Sequence, residues 1–301
     1  MKPAPFTYHR PADLDSLVAT MADLGDEAKL LAGGQSLVPL LALRLASPTH
    51  LVDMSRVLDL RAVDVHEAGE SADAGYLVVG ANATQRDVEL DLRIAARVPL
   101  LADALPLIAH PQIRNRGTVC GSIAHADPAA ELPAVALALD ARIVVRSARG
   151  TRRIDASDFF LSYLETALEP DDVVVAVEFP LAAPHTGAAF HEISRRHGDF
   201  AMAGVAASLT LDHDGRIVDA RLALSGVASI PLRAAAAEAG LVGAAPTDEA
   251  FLAASSEATA LLDPPDDIHA TAAYRKHIAG VLVRRALRAA HERALAGFEQ
   301  S

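Results

Sequence analysis

The chain has 301 residues, 51% hydrophobic and 22% charged, a globular composition that excludes a disordered protein. Its 27 Lys and Arg stand against 39 Asp and Glu, and the net charge of −12 excludes a nucleic-acid backbone as partner on electrostatic grounds. The single cysteine excludes an internal disulfide, and also any iron–sulfur cluster or Cys-rich zinc site held by this chain alone.

The first elements alternate between helix and strand. RPADLDSLVATMADLG (10–25) places Leu14, Leu17, Val18, Met21 and Leu24 on one helical face, with Asp13 as N-cap and Gly25 as the stop. AKLLAG is a short strand running into Gly33-Gly34, and SLVPLLALRLASP is a helix with Pro39 early, where a missing N–H costs little. HLVDMS reads as a further strand. The middle of the chain offers the strand-and-turn YLVVGANAT and a mixed helical stretch over 86–109. DPAAELPAVALALD follows as a helix opened by Asp127 and Pro128. ARIVVRS, TRRIDA and DDVVVAVEFP are strands. Beyond Pro180, AAFHEISRR and GVAASLTLDHDGRIVDARLALSGV read as antiparallel strands, with a hairpin turn at Asp214-Gly215. Helices over 232–243, 247–262 and 270–297 close the chain. The switch from meander to helices marks a separate α+β domain. The opening MKPAPFTYHRPADLDSL has no apolar core of the secretory type, and no run approaches the ~18 apolar residues of a membrane span. A cytoplasmic protein is expected.

Two glycine loops carry the chemical signal. In LLAGGQSLVPLL (30–41) a strand enters Gly33-Gly34 and leaves through Gln35 and Ser36 into a helix, exposing backbone N–H groups where an anion can sit. It is neither a Walker A loop nor a GxGxxG fingerprint. A plain structural turn has the same look. In RNRGTVCGS, Gly117 and Gly121 flank Thr118, Val119 and Cys120, and Arg114 and Arg116 precede them. Two arginines beside a hydroxyl suit a pyrophosphate or a flavin edge, or they pair with the abundant carboxylates. A thiolate at Cys120 with His110 or His125 as base is a third reading, but the surround matches no cysteine-protease signature. A metal site from His110, His125 and Asp127 matches no ligand spacing.

Taken together, AGGQSLVPLLALRLASPTHLVDMS (32–55), HPQIRNRGTVCGSIAHADPAAELPAVALALDARIVV (110–145) and SDFF (157–160) resemble the FAD-binding medium subunits of molybdenum hydroxylases. EFP (178–180), ISRRHGDFAMAGVA (193–206) and HATAAYRKHIAGVLVRRAL (269–287) extend the resemblance over nearly the whole chain. It implies an α+β fold: a vanillyl-alcohol oxidase-type FAD-binding region of two α/β subdomains (about 1–57 and 58–178). A small C-terminal domain of three antiparallel strands plus a helical bundle (179–301) would follow. FAD would lie between the subdomains, touching Ala32, Gly33, Gly34, Gln35, Ser36 and Leu37 of the first loop and Thr118, Val119, Cys120, Gly121 and Ser122 of the second. Ile108 and Ala109 would flank the cofactor, Asp127 and Glu131 would meet its polar groups, and Val174 or Val175 would line the flavin. His191 falls where some relatives place Lys or Tyr near the isoalloxazine. Many relatives have Gly-Gly where this chain has Cys120-Gly121.

The resemblance further implies an electron-transfer role with no catalytic acid, base or nucleophile on this chain. Molybdopterin would sit on a large partner subunit and two 2Fe–2S clusters on a small one, as a dimer of heterotrimers. A stand-alone flavin oxidase of the same fold, and a structural adaptor without flavin, are the alternatives.

Overall fold

The computed structural model describes residues 2–68, 75–260 and 262–299. Three strands, Thr7–His9, Ala28–Leu31 and His50–Asp53, form a parallel sheet with His50–Asp53 at its centre. Parallel neighbours need crossovers, and the helices Leu14–Leu24 and Leu37–Leu43 provide them. Asp13 caps the first by accepting from the Ser16 N–H at 2.8 Å, while the Ser16 hydroxyl reaches back to the Asp13 N–H. Gly25 ends that helix at φ +50°.

A second sheet is antiparallel throughout, in the order Val63–His66, Tyr76–Gly80, Val173–Pro180, Arg142–Ser147, Gly150–Asp155. The helical stretch expected over 86–109 is three short helices, Gln85–Leu90, Leu92–Arg97 and Pro99–Ala104, and a 3₁₀ turn. Asp91 and Pro99 break it: one caps by accepting from the Arg93 N–H, the other opens a new helix at its first position. The helix expected from Asp127 starts later, at Glu131, with Ala130 as its N-cap. Asp127 instead closes a turn by accepting from the Ala129 N–H at 2.9 Å.

The C-terminal sheet has four strands rather than three: Thr186–Ser194, Ala201–Leu211, Ile217–Ser225 and the two-residue Leu232–Arg233. The fourth occupies the start of the stretch read as a helix over 232–243, which is helical only at Ala235–Leu241. Asp248–Ala260 and Ala272–Glu299 complete the bundle; Leu261, within the expected 247–262 helix, lies outside the described residues.

Both faces of this sheet are covered. Val205, Ala207, Leu209, Leu222 and Leu224 pack on the terminal helices, whereas Ala188, Phe190, Ala206 and Ala223 join the core of the preceding sheet. Helix Glu131–Ala138 lies on that second face and is buried at every position, which explains its lack of a polar stripe. The strand alternation therefore sorts residues between two different cores.

Candidate functional site

The first glycine loop leaves the central parallel sheet and enters helix Leu37–Leu43 through Ser36. Gly34 takes φ +76°, which bends the chain back on itself. The Gln35 side-chain amide donates to the Gly33 carbonyl at 3.0 Å. The N–H groups of Gly33, Gly34, Gln35 and Ser36 have no acceptor among the described residues.

The second loop enters helix Val119–His125. Thr118 is its N-cap, its hydroxyl accepting from the Gly121 N–H at 2.9 Å. The Val119 and Cys120 N–H groups lie in the first turn of the helix, where no intrahelical carbonyl can take them up. An isolated antiparallel bridge from Thr84 to Thr118, and a hydrogen bond from the Gln85 N–H to the Gly117 carbonyl (2.7 Å), suspend this loop from the second sheet.

The two loops touch. A Cβ on Gly33 would collide with the Arg116 carbonyl oxygen and lie 2.7 Å from Gly117 Cα. A Cβ on Gly121 would lie 2.7 Å from Thr118 Oγ1 and 3.7 Å from Ala32 Cβ. Gly33 lets one loop lie against the other, and Gly121 makes room for the capping hydroxyl. The result is two helix mouths side by side, offering unpaired N–H groups. Neither loop contains a carboxylate, and Arg116 is exposed with no ion-pair partner among the described residues. Within a chain of net charge −12 this is a local anion-accepting patch, and it fits a dinucleotide pyrophosphate.

Arg114 does not join it. Its guanidinium is buried, grips Glu89 with two bonds of 2.9 and 3.0 Å, and donates to the Ile108 carbonyl at 2.8 Å. The pair holds Glu89 below the usual carboxylate range, chiefly through the Arg114 hydrogen bond. Arg114 therefore braces the turn at Ile108 and Ala109. Ala109 there adopts φ +44°, a left-handed conformation costly for a residue with a side chain. The turn 195–199 from the C-terminal sheet seats on it: Gly198, at φ +86°, lies against the Ala109 carbonyl, and the His110 and His197 rings are 6.0 Å apart. No spacing in the sequence joins Gly198 to this turn, because they lie in different domains.

Cys120 faces the core. It is 2% exposed, its thiol donates to the Val79 carbonyl at 3.4 Å, and burial pushes its pKa up to about 12. A thiolate nucleophile is incompatible with that environment. Ser122 follows it, half-buried, on the same helix. Val174 and Val175 sit at a bulge in the strand that helix Val119–His125 covers; Val174 is buried, and the Val175 carbonyl accepts from the Ala81 N–H.

Asp127 and Glu131 flank the exit of the same helix. Glu131 is buried and makes no ion pair among the described residues; burial, then the Glu192 charge, pushes it up to about 8. Glu192 lies on the strand Thr186–Ser194, on the face it shares with Phe190, and burial pushes it up to about 7. His191, next along the strand, faces the other way. Burial holds its pKa down, and the charges that bear on it are Asp103, Arg293 and Arg285. The side chain aimed at the inter-sheet face is Glu192, and the period-two alternation through Ala188 and Phe190 was the signal for it.

Residues 4–182 match the family described as FAD binding domain in molybdopterin dehydrogenase, and residues 188–290 the CO dehydrogenase flavoprotein C-terminal domain. The chain belongs to the FAD-binding medium subunits of the molybdenum hydroxylases. The carbon monoxide dehydrogenase medium chain of Hydrogenophaga pseudoflava is 40% identical over 294 residues, spanning 97% of this chain and 99% of that one. The 6-hydroxypseudooxynicotine dehydrogenase complex subunit alpha of Paenarthrobacter nicotinovorans is also 40% identical, over 98% and 97%. A solved carbon monoxide dehydrogenase from Hydrogenophaga pseudoflava, one lacking the Mo-pyranopterin moiety of its cofactor, superposes with a TM-score of 0.92 at 42% identity, covering 97% of this chain and 99% of that chain. The chain is accordingly a subunit of an oxidoreductase complex with FAD as its cofactor. No helix among the described residues is long and apolar enough to cross a membrane.

Proposed function

We propose that this chain is the electron-transfer subunit of a cytoplasmic molybdenum hydroxylase. It would receive electrons from two 2Fe–2S clusters on a small subunit and deliver them to an external acceptor. A large subunit would hold molybdopterin and oxidise the substrate, and the assembly would be a dimer of heterotrimers. The observation that carries the reading is the pair of touching glycine loops, each opening a helix with unpaired N–H groups.

FAD, when bound, supplies a carrier that exchanges electrons singly or in pairs. This chain's work is to bind and orient it. The backbone of Gly33, Gly34, Gln35 and Ser36, with Ala32 and Leu37 flanking, would hold one side of the pyrophosphate. Thr118, Val119, Cys120, Gly121 and Ser122 would hold the other, Cys120 through its N–H alone. Ile108, Ala109, Val174 and Val175 would shape the apolar wall, and Asp127 and Glu131 would meet polar groups. The binding region would span 1–178 and the second domain 179–301.

Purified chain should be yellow, and dithionite should bleach its flavin absorbance. A colourless protein that takes up no added FAD would sink the reading. Isolation from the native source should bring a large and a small subunit with it; turnover of a small alcohol or aldehyde by the chain alone would point to a stand-alone oxidase.

A further inference from the structure

Residues 81–85 connect two parts of the candidate flavin site. At one end the Ala81 N–H donates to the Val175 carbonyl at 2.9 Å, beside the strand bulge assigned to the flavin wall. At the other, the Gln85 N–H donates to the Gly117 carbonyl at 2.7 Å, and Thr84 bridges to Thr118 at the mouth of helix Val119–His125. The segment therefore runs between the places assigned to the ring and to the pyrophosphate, where a ribityl chain would lie.

Gln85 is 4% exposed, and its Oε1 is a buried acceptor with no hydrogen-bond partner. A Cβ on Gly117 would lie 2.9 Å from that oxygen, so the amide lies directly against the second glycine loop. The backbone donors beside it are engaged within the chain. Arg116 and Gly117 give their N–H groups to the Ile113 carbonyl (3.1 and 2.7 Å), and Asn115 gives its own to the Pro111 carbonyl (2.9 Å). Asn82, on the same segment and also buried, is the contrast: its amide donates to the Met54 and Val57 carbonyls at 2.7 and 3.0 Å. An unmet buried acceptor costs free energy, and a ligand hydroxyl that meets it recovers that cost on binding.

We propose that Gln85 is a further cofactor-binding residue, whose side-chain carbonyl accepts a hydrogen bond from a ribityl hydroxyl of FAD. The inference rests on the flavin reading above. A pyrophosphate offers only acceptors near neutral pH, and the ring would lie at the Val175 end of the segment. The hydroxyls between them are the donors within reach of the amide. The reciprocal cap of Thr84 and Asp87, with bonds of 3.1 and 3.0 Å, fixes the backbone on both sides of Gln85, so the acceptor is in place before a cofactor arrives.

The test uses the full-length chain freed of flavin, with FAD and FAD analogues that each lack one ribityl hydroxyl, and follows binding by flavin fluorescence. Wild type should bind one of the analogues about tenfold more weakly than FAD, since the buried acceptor is again left unmet. Gln85→Met keeps the length and drops the acceptor. It should bind FAD about tenfold more weakly than wild type, and should bind that analogue as well as it binds FAD. The urea midpoint of flavin-free Gln85→Met should equal or exceed that of wild type, because nothing inside the chain uses the acceptor. Analogues that all bind wild type as tightly as FAD overturn the proposal without any variant. A Gln85→Met protein that keeps the full penalty for the missing hydroxyl overturns it as well. A lowered midpoint, or failure to fold, shows the amide bonded within the chain and has the same consequence. If wild type takes up no FAD, the flavin reading fails and the proposal falls with it; uptake indifferent to both changes overturns the proposal alone.

Discussion

At position 120 the side chain matters less than its surroundings. Cys120 supplies an N–H to the helix mouth and a thiol to the core, where it meets the Val79 carbonyl. Cys120→Ser keeps a donor of similar size, so flavin content should match wild type while the Tm falls by a few degrees. The native thiol should resist alkylation until the protein unfolds, because its pKa lies near 12 and it is buried. Rapid native labelling, or loss of electron transfer in a Cys120→Ser protein with full flavin, would return the thiol to the chemistry. Arg114 teaches the converse. Two arginines in one short stretch suggest a shared anion, yet Arg114 is spent on Glu89 and the Ile108 carbonyl. Arg114→Met should leave Glu89 with only Arg86 and the Ile108 carbonyl without its donor, at a cost of about 2 kcal/mol read from urea unfolding. Flavin binding should suffer with it, through the turn at Ala109.

Among the elements, the two loops behave as one unit. Gly33→Ala places a methyl against the Arg116 carbonyl, which only movement of one backbone can relieve. We expect a loss of at least about 2 kcal/mol and of nearly all bound flavin, measured by unfolding and by absorbance. Thr118→Val removes the cap from helix Val119–His125 and should cost about 1 kcal/mol while retaining part of the flavin. The loops were legible in the sequence because a strand, a glycine pair and a helix start leave a local signature. Their contact was not: no spacing rule joins Gly33 to Arg116, which are brought together by the separate sheets from which they hang. Asp127-Pro128 looked like a helix start and proved to be a turn, since the Pro128 carbonyl is taken up by Gly226, almost a hundred residues later. His191 came from the resemblance alone, whereas the period-two alternation through Ala188 and Phe190 is what turns its neighbour Glu192 to the inter-sheet face.

For the whole molecule, pH is the informative variable. Glu131 and Glu192 have folded pKa values above the ordinary 4.5, so the native chain binds protons that the unfolded chain has released. Their contribution is whole below about pH 4.5 and is lost as pH rises through about 7 to 8. The slope should not exceed about 1.4 kcal/mol per pH unit for each group. Urea midpoints of flavin-free protein should fall over this window, and Glu192→Gln should flatten the fall; an unchanged slope would contradict it. Asp267 acts in the opposite sense. Backbone N–H groups of Ala270 and His269 lower it to about 2, so its contribution exists above the ordinary 3.8 and disappears as pH drops toward 2.

Helix Glu131–Ala138, buried on every side, also says something about birth order. The ribosome completes it long before the strands Ala201–Leu211 and Ile217–Ser225 that cover one of its sides. For that interval the nascent chain leaves one oily side of the helix uncovered. A polypeptide ending at Pro180 would make the interval permanent. Such a fragment should aggregate or stay bound to a chaperone, and recover solubility when the remaining segment is supplied alongside it during synthesis.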